Sequence, residues 1–237
     1  MKVMPRNRLA AALLLLLLAA PALYAQTPQT QPTAQPTPQA TPQATPATKD
    51  DDKKSPDAKK RYKELLEKAK KGEAVDFREM RLAYFETPEY SPLTGMFDYR
   101  ALNGALGQGD YAGAVKTAEA VLERNFVDLN AHMVAYIAHR ETKNEEKAKF
   151  HRAISEGLLD SIKATGDGKS PETAYEVISI SEEYAMFRAM GVRPVKQSLV
   201  QDKGHSYDAV VVVDPRTNQQ TTYYFNVDKP FSAYGRK

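Results

Sequence analysis

The chain has 237 residues with 33 Lys+Arg against 30 Asp+Glu, no cysteine and no tryptophan. The missing cysteine excludes disulfides, thiolate metal sites, cysteine nucleophiles and a lipid-anchored cysteine, so a folded domain needs a full hydrophobic core. No basic stripe marks a nucleic-acid binder.

Residues 1–25 have the three parts of an export signal. Lys2, Arg6 and Arg8 are the basic start, Leu9 to Ala20 the apolar core, and Leu23-Tyr-Ala25 the cleavage site, with cleavage expected after Ala25. The alternative is an uncleaved anchor, which Pro21 and the short apolar run disfavour. Removing this segment takes away three basic residues and no acid, leaving 30 of each and no formal charge. The expected location is periplasmic or secreted, without a stable membrane span once the signal is gone. Residues 26–57 begin with Pro, Gln, Thr and Ala and hold no large apolar side chain, which predicts a disordered linker.

One α+β domain is expected over residues 58–230, helical over 58–190 and a β-meander over 193–228, with 231–237 as a tail. Tyr62, Leu65, Leu66 and Ala69 mark a first helix stopped by Gly72. A second runs from about Asp76 to Glu86 and ends at the prolines of Thr87-Pro-Glu-Tyr-Ser-Pro92. Tyr84, Phe85, Tyr90, Phe97 and Tyr99 gather around that loop, either as a recognition groove or as the closed end of the helical layer. Gly109-Asp-Tyr-Ala-Gly-Ala114 aligns with Lys143-Asn-Glu-Glu-Lys-Ala148 at an offset of 34 residues, and Ala101 falls on Ala135. That period resembles the tetratricopeptide repeat, although about one and a half repeats are legible where three are usual. A last helix of this region, Asn144 to Lys163, carries Phe150, Ile154, Leu158 and Ile162.

Ser170 and Pro171 predict the start of a single helix running to Gly191, with Ala174, Val177, Ile178, Ser181, Ala185 and Arg188 on the face that joins the two halves. Beyond Gly191 the pattern changes to strands at about Val195–Val200, Tyr207–Val213 and Gln219–Val227, with turns at Asp202-Lys-Gly204 and Asp214-Pro-Arg-Thr-Asn218. The expected fold is therefore a tetratricopeptide-like helical bundle packed on a C-terminal three-stranded antiparallel sheet.

Several stretches together resemble a family of exported bacterial proteins known only as a domain of unknown function, of Bacteroidetes type. They are Asp76-Phe-Arg, Arg81-Leu-Ala-Tyr84, Gly157-Leu-Leu-Asp-Ser161, Gly166-Asp-Gly-Lys-Ser170, Glu172-Thr-Ala174, Val177-Ile178, Glu182-Glu-Tyr184 and Tyr224-Phe-Asn-Val-Asp228. The resemblance implies an exported single domain and no particular activity.

The chemistry is thin. Gly168-Lys-Ser170 is not a phosphate loop, because Lys163 stands where that motif needs its first glycine. Backbone N–H groups after Ser170, with Lys169, could still hold an anion. Asp167, Glu182 and Glu183, with Tyr184, are the best acidic set, but neighbouring glutamates on a helix point about 100° apart and cannot face each other as acid and base. One is expected to be buried with Arg188, Arg78 or Arg81, and the other solvated. His132 and His139, with His151 on the next helix, lack metal-ligand spacing, so no metal is expected. No cofactor motif and no serine-nucleophile elbow is present. The expectation is a non-catalytic envelope module with a protein or peptide partner and candidate binding residues Asp167, Lys169, Ser170, Glu182, Glu183 and Tyr184. The alternative is an exported hydrolase using Asp167, Glu182 or Glu183.

Overall fold

A computed structural model of the chain describes residues 56–92 and 98–234. The signal segment, nearly all of the linker, and Phe97 lie outside the described residues. All those described belong to one compact unit covering residues 48–237. None of their helices is long and apolar enough to cross a membrane.

Helix α1 (Pro56–Lys70) ends where Gly72 takes a φ of 72°. Helix α2 (Phe77–Phe85) starts at Asp76, whose carboxylate accepts from the Glu79 N–H at 2.9 Å. Four helices follow, α3 (Asp98–Gly107), α4 (Tyr111–Arg124), α5 (Leu129–Glu141) and α6 (Glu145–Lys163), each packed against the next. The 34-residue offset reappears as geometry at the turns. Asp110 and Asn144 both cap the next helix, Gly109 and Lys143 both sit at positive φ, and Ala114 and Ala148 are both buried. Ala101 does not match Ala135, since it is exposed and Ala135 is buried.

The segment after Ser170 is not one helix. Pro171–Thr173 forms a single 3₁₀ turn, Tyr175–Glu176 a short strand β1, and only Ile180–Met190 a helix, α7. The tertiary pairing prevails over local pattern here. Tyr175 and Glu176 run parallel to Phe225 and Asn226, while the Gly168 carbonyl accepts from the Tyr224 N–H at 2.8 Å, so the whole turn is zipped to the sheet. Helix α7 still joins the two halves as expected: Ala185, Met186 and Phe187 are buried in one cluster with Leu158 and Ile162 of α6 and Val210, Val212 and Phe225 of the sheet.

The sheet has four strands, not three, and is mixed rather than purely antiparallel. Its order is β1, β4 (Gln220–Asn226), β3 (His205–Val213), β2 (Arg193–Asp202), with only the β1–β4 pair parallel. The valine run of β3 is deeply placed, with Val210, Val212 and Val213 buried and Val211 half-buried. Residues Asp228–Tyr234 form a short helix, α8, packed on β3, which takes in the first residues of the expected tail; 235–237 lie outside the described residues. A second cluster, built on Leu102, Val121, Leu122 and Val134, holds α3, α4 and α5 together.

Candidate functional site

The candidate residues divide among three places. Glu182 sits in the core, 4% exposed, and Arg81 of α2 meets it in a two-pronged pair with Nε–Oε1 at 2.8 Å and Nη2–Oε2 at 2.7 Å. Arg81 also donates to the Glu176 carbonyl at 3.0 Å and to Ser161 Oγ at 3.3 Å. The remaining reach of Glu182 goes to the Ile178 N–H at 2.9 Å, which ties down the chain entering α7. Ser179-Ile-Ser-Glu182 is the spacing of a capping box, a sign of a new helix start that the reading from Ser170 overrode.

Glu183 is fully buried rather than solvated, which corrects the expectation for the second acid. It points the other way round α7, toward Asp208 of β3. Neither of its oxygens has a partner in hydrogen-bonding geometry. Burial first, and then the charge of Asp208, push the Glu183 carboxyl well above the usual range and favour its uncharged form. Asp208 is raised as well, chiefly by burial, and accepts from Gln197 Nε2 at 2.6 Å. Tyr184 lies outside this pair, donates to Gln197 Oε1 at 3.2 Å, and packs edge-on against Tyr99.

Asp167, Lys169 and Ser170 belong to the exposed turn. Asp167 Oδ1 accepts from Thr173 Oγ1 at 2.6 Å and from the Lys169 N–H at 3.0 Å, and those bonds hold its carboxyl below the usual range. Ser170 makes no side-chain cap, and the Thr173 N–H is already bonded to the Ser170 carbonyl. The Ala174 N–H is bonded to the Pro171 carbonyl, and the 3₁₀ turn is only three residues long.

His132, His139 and His151 pack against one another. His132 Nε2 donates to the Phe126 carbonyl at 2.8 Å, which leaves its Nδ1 to accept from His151 Nδ1 at 3.0 Å, and His139 stacks on His151. Burial first, then the neighbouring imidazole, push His132 down to about 3 and His151 down to about 4, so both are uncharged at neutral pH. Among the described residues no group of three His, Asp or Glu side chains is placed to hold a metal ion. Tyr84, Phe85 and Tyr90 pack edge to ring and are buried, closing the end of the helical layer, and Tyr90 donates to the Ile178 carbonyl.

One open cleft brings together titratable groups that the sequence did not single out. A cleft of about 370 Å³ lies between the turn at 165–176, the start of β3 and the start of α8. His205 Nδ1 and Asp228 Oδ2 are 2.6 Å apart, and the other Asp228 oxygen accepts from the Ser206 N–H at 2.8 Å. The carboxylate thus fixes the imidazole by its Nδ1 edge. Glu176 forms part of the wall, bridged by Lys229 and by Arg78 at 2.9 Å. Burial alone would raise Glu176, but the bonds from Lys229 and Arg78 outweigh it and hold the carboxyl below its ordinary value. Glu172 on the rim is paired with Lys203 at 3.0 Å, and that bond is the main reason its carboxyl is lowered to about 2. Every acid of the cleft is therefore matched by a base, and the volume suits a small polar group or a short peptide stretch. The clue in the sequence was Asn226-Val-Asp228 closing the third strand: Asn226 Oδ1 accepts from the Asp228 N–H at 3.1 Å and aims that carboxylate back at His205.

Glu172 and Ala174 stand on one wall of the cleft and Asn226 and Asp228 on the other. No curated protein and no solved structure matches the chain. A family model does match, over residues 53–236, and the chain belongs to that family, the domain of unknown function DUF4919.

Proposed function

We propose that the protein is a non-catalytic binding or interaction module of a bacterial envelope, exported by residues 1–25 and carried on the linker 26–57, with a protein or peptide segment held in the His205–Asp228 cleft. The observation that carries this reading is the division of the acids. Glu182 and Glu183 are enclosed in the core, Asp167 is spent on its own turn, and in the open cleft Glu172 and Glu176 are ion-paired and Asp228 is hydrogen-bonded to His205 and to the Ser206 N–H. Such a surface recognises a ligand by hydrogen bonds and shape and has no free carboxylate to drive a reaction. The equivalent caps and turns 34 residues apart, Gly109-Asp110 and Lys143-Asn144, support the tetratricopeptide-like reading, an architecture that commonly serves interaction.

The alternative, an exported hydrolase, has one observation on its side, an imidazole oriented by a carboxylate. In that form the proton acceptor is His205, not Asp167, Glu182 or Glu183, and the hydrogen bonds of His205 include no serine or threonine hydroxyl. A photo-crosslinking amino acid placed at Lys229 in the cells that make the protein tests the binding reading. Covalent adducts are expected that fade when His205→Ala is added. Adducts unchanged by His205→Ala, or equally abundant from a probe at exposed Glu123 on α4, would refute it.

A further inference from the structure

We infer that the outer edge of β2 pairs with the same edge of a second copy of this chain, joining two sheets into one across a two-fold axis. Among the described residues no strand pairs with that edge, although β2 is ten residues long. Edge strands of this length are normally protected by charge, proline or a bulge. Here the proline and the bulge, Pro194 and the step between Pro194 and Lys196, lie at one end, and the charges Arg193, Lys196 and Asp202 lie outside the middle of the strand. The stretch Gln197 to Gln201 has none. The two most exposed large apolar side chains of the described residues, Val195 at 45% and Leu199 at 52%, both lie on this strand.

The turn sets the phase of the edge. Lys203 and Gly204 have φ of 49° and 86°, a two-residue hairpin closed by Asp202 opposite His205. The closing pair of such a hairpin is hydrogen-bonded, and bonded pairs alternate along the strand. Ser198, Val200 and Asp202 therefore spend their backbone groups on β3. Gln197, Leu199 and Gln201 direct theirs outward.

An antiparallel copy centred on Leu199 uses all three. Leu199 meets Leu199 of the partner subunit, and Gln197 meets Gln201 of the partner subunit, in each case as a bonded pair. The same register sets Lys196 opposite Asp202 of the partner subunit, twice over, and leaves Pro194 and the bulge outside the paired segment. Centring on Ser198 or Gln197 loses the charge match, and centring on Gln197 also brings Pro194 into the ladder, where it has no N–H to give. Charge complementarity and an apolar self-contact thus select a second copy and one register. No residue of the paired segment 196–202 lines the cleft, although Lys203, next in the chain, bridges Asp202 and Glu172 on the cleft rim.

Sedimentation velocity on the full chain, as cells process it, over a concentration series up to about 1 mM gives the test, that being the weak end of measurable association. A reversible dimer is expected. Lys196→Asp or Asp202→Lys alone sets like charges opposite each other at both ends and should weaken the dimer about tenfold or more. The double exchange should restore it, and Leu199→Lys should abolish it. Circular dichroism melts check that each variant folds. A wild-type monomer throughout the series, or a dimer indifferent to the single charge reversals, would overturn the inference.

Discussion

The Arg81–Glu182 pair gives the sharpest energetic test. Arg81 is 2% exposed and makes four hydrogen bonds, two to Glu182, one to the Glu176 carbonyl and one to Ser161. Glu182→Gln keeps the shape but leaves a buried guanidinium without its counter-charge. Arg81→Met leaves a buried carboxylate with only the Ile178 N–H. Removing one member of such a pair costs about 3–5 kcal/mol, whereas exchanging both for apolar groups of similar volume is often neutral. Against a total stability of about 5–15 kcal/mol, either single change removes a large share. The double variant Arg81→Met/Glu182→Leu should cost less than the sum of the singles by about 2 kcal/mol or more, a coupling that contacting residues can show. The full value will not be recovered, because the Glu176 carbonyl loses a donor and the Ile178 N–H an acceptor. Urea denaturation, comparing midpoints at constant m, measures all three. Single costs below about 1 kcal/mol with additive behaviour would mean that the pair does not hold α2, β1 and α7 together.

Asp128 makes a pH-dependent prediction. It caps α5 through one oxygen, which accepts from the Ala131 N–H at 2.8 Å, while its other oxygen is buried without a partner. Burial is the main cause that raises its carboxyl from 3.8 to about 6. The folded state therefore keeps a proton that the unfolded chain has lost, and the stabilisation present below pH 4 disappears as the pH rises through 6. At about 1.4 kcal/mol per unit, Asp128→Asn should become more stable than wild type by on the order of 3 kcal/mol between pH 4 and pH 7. Asparagine also serves as an N-cap. Identical pH profiles in thermal melts of the two proteins would refute the assignment. Gly168 has a φ of 68°, and a Cβ there would lie 2.4 Å from the Tyr175 ring. Gly168→Ala should cost about 2–4 kcal/mol through left-handed strain and overpacking, and the turn over the cleft should lose its amide protection in hydrogen exchange first. Unchanged stability and protection would show that the turn is not held as described.

Most helices were legible because their cause is local. Asp76, Asp110, Asn144, Gly72 and Gly109 cap or stop them through contacts within a turn, and apolar spacing gives the buried face. The strands of the meander were legible for the same reason, since Lys203-Gly204 fixes a hairpin from within. The split of the Ser170–Gly191 segment was not legible. Tyr175 and Glu176 are strand only because Phe225 and Asn226, fifty residues away in sequence, supply their hydrogen bonds. The same long-range pairing decided the candidate site. That one of the two neighbouring glutamates would find an arginine followed from the cost of burying charge, but that it is Glu182, the choice of Arg81 over Arg78 and Arg188, the burial of Glu183 against Asp208, and the meeting of His205 with Asp228 depend on which elements cross. Sequence by itself determined the local turns and the periodic faces, because backbone sterics and hydrogen bonding act over a few residues. Tertiary structure alone decided which polar groups are enclosed and which open to solvent, because desolvation depends on everything packed around a group, however distant in the chain.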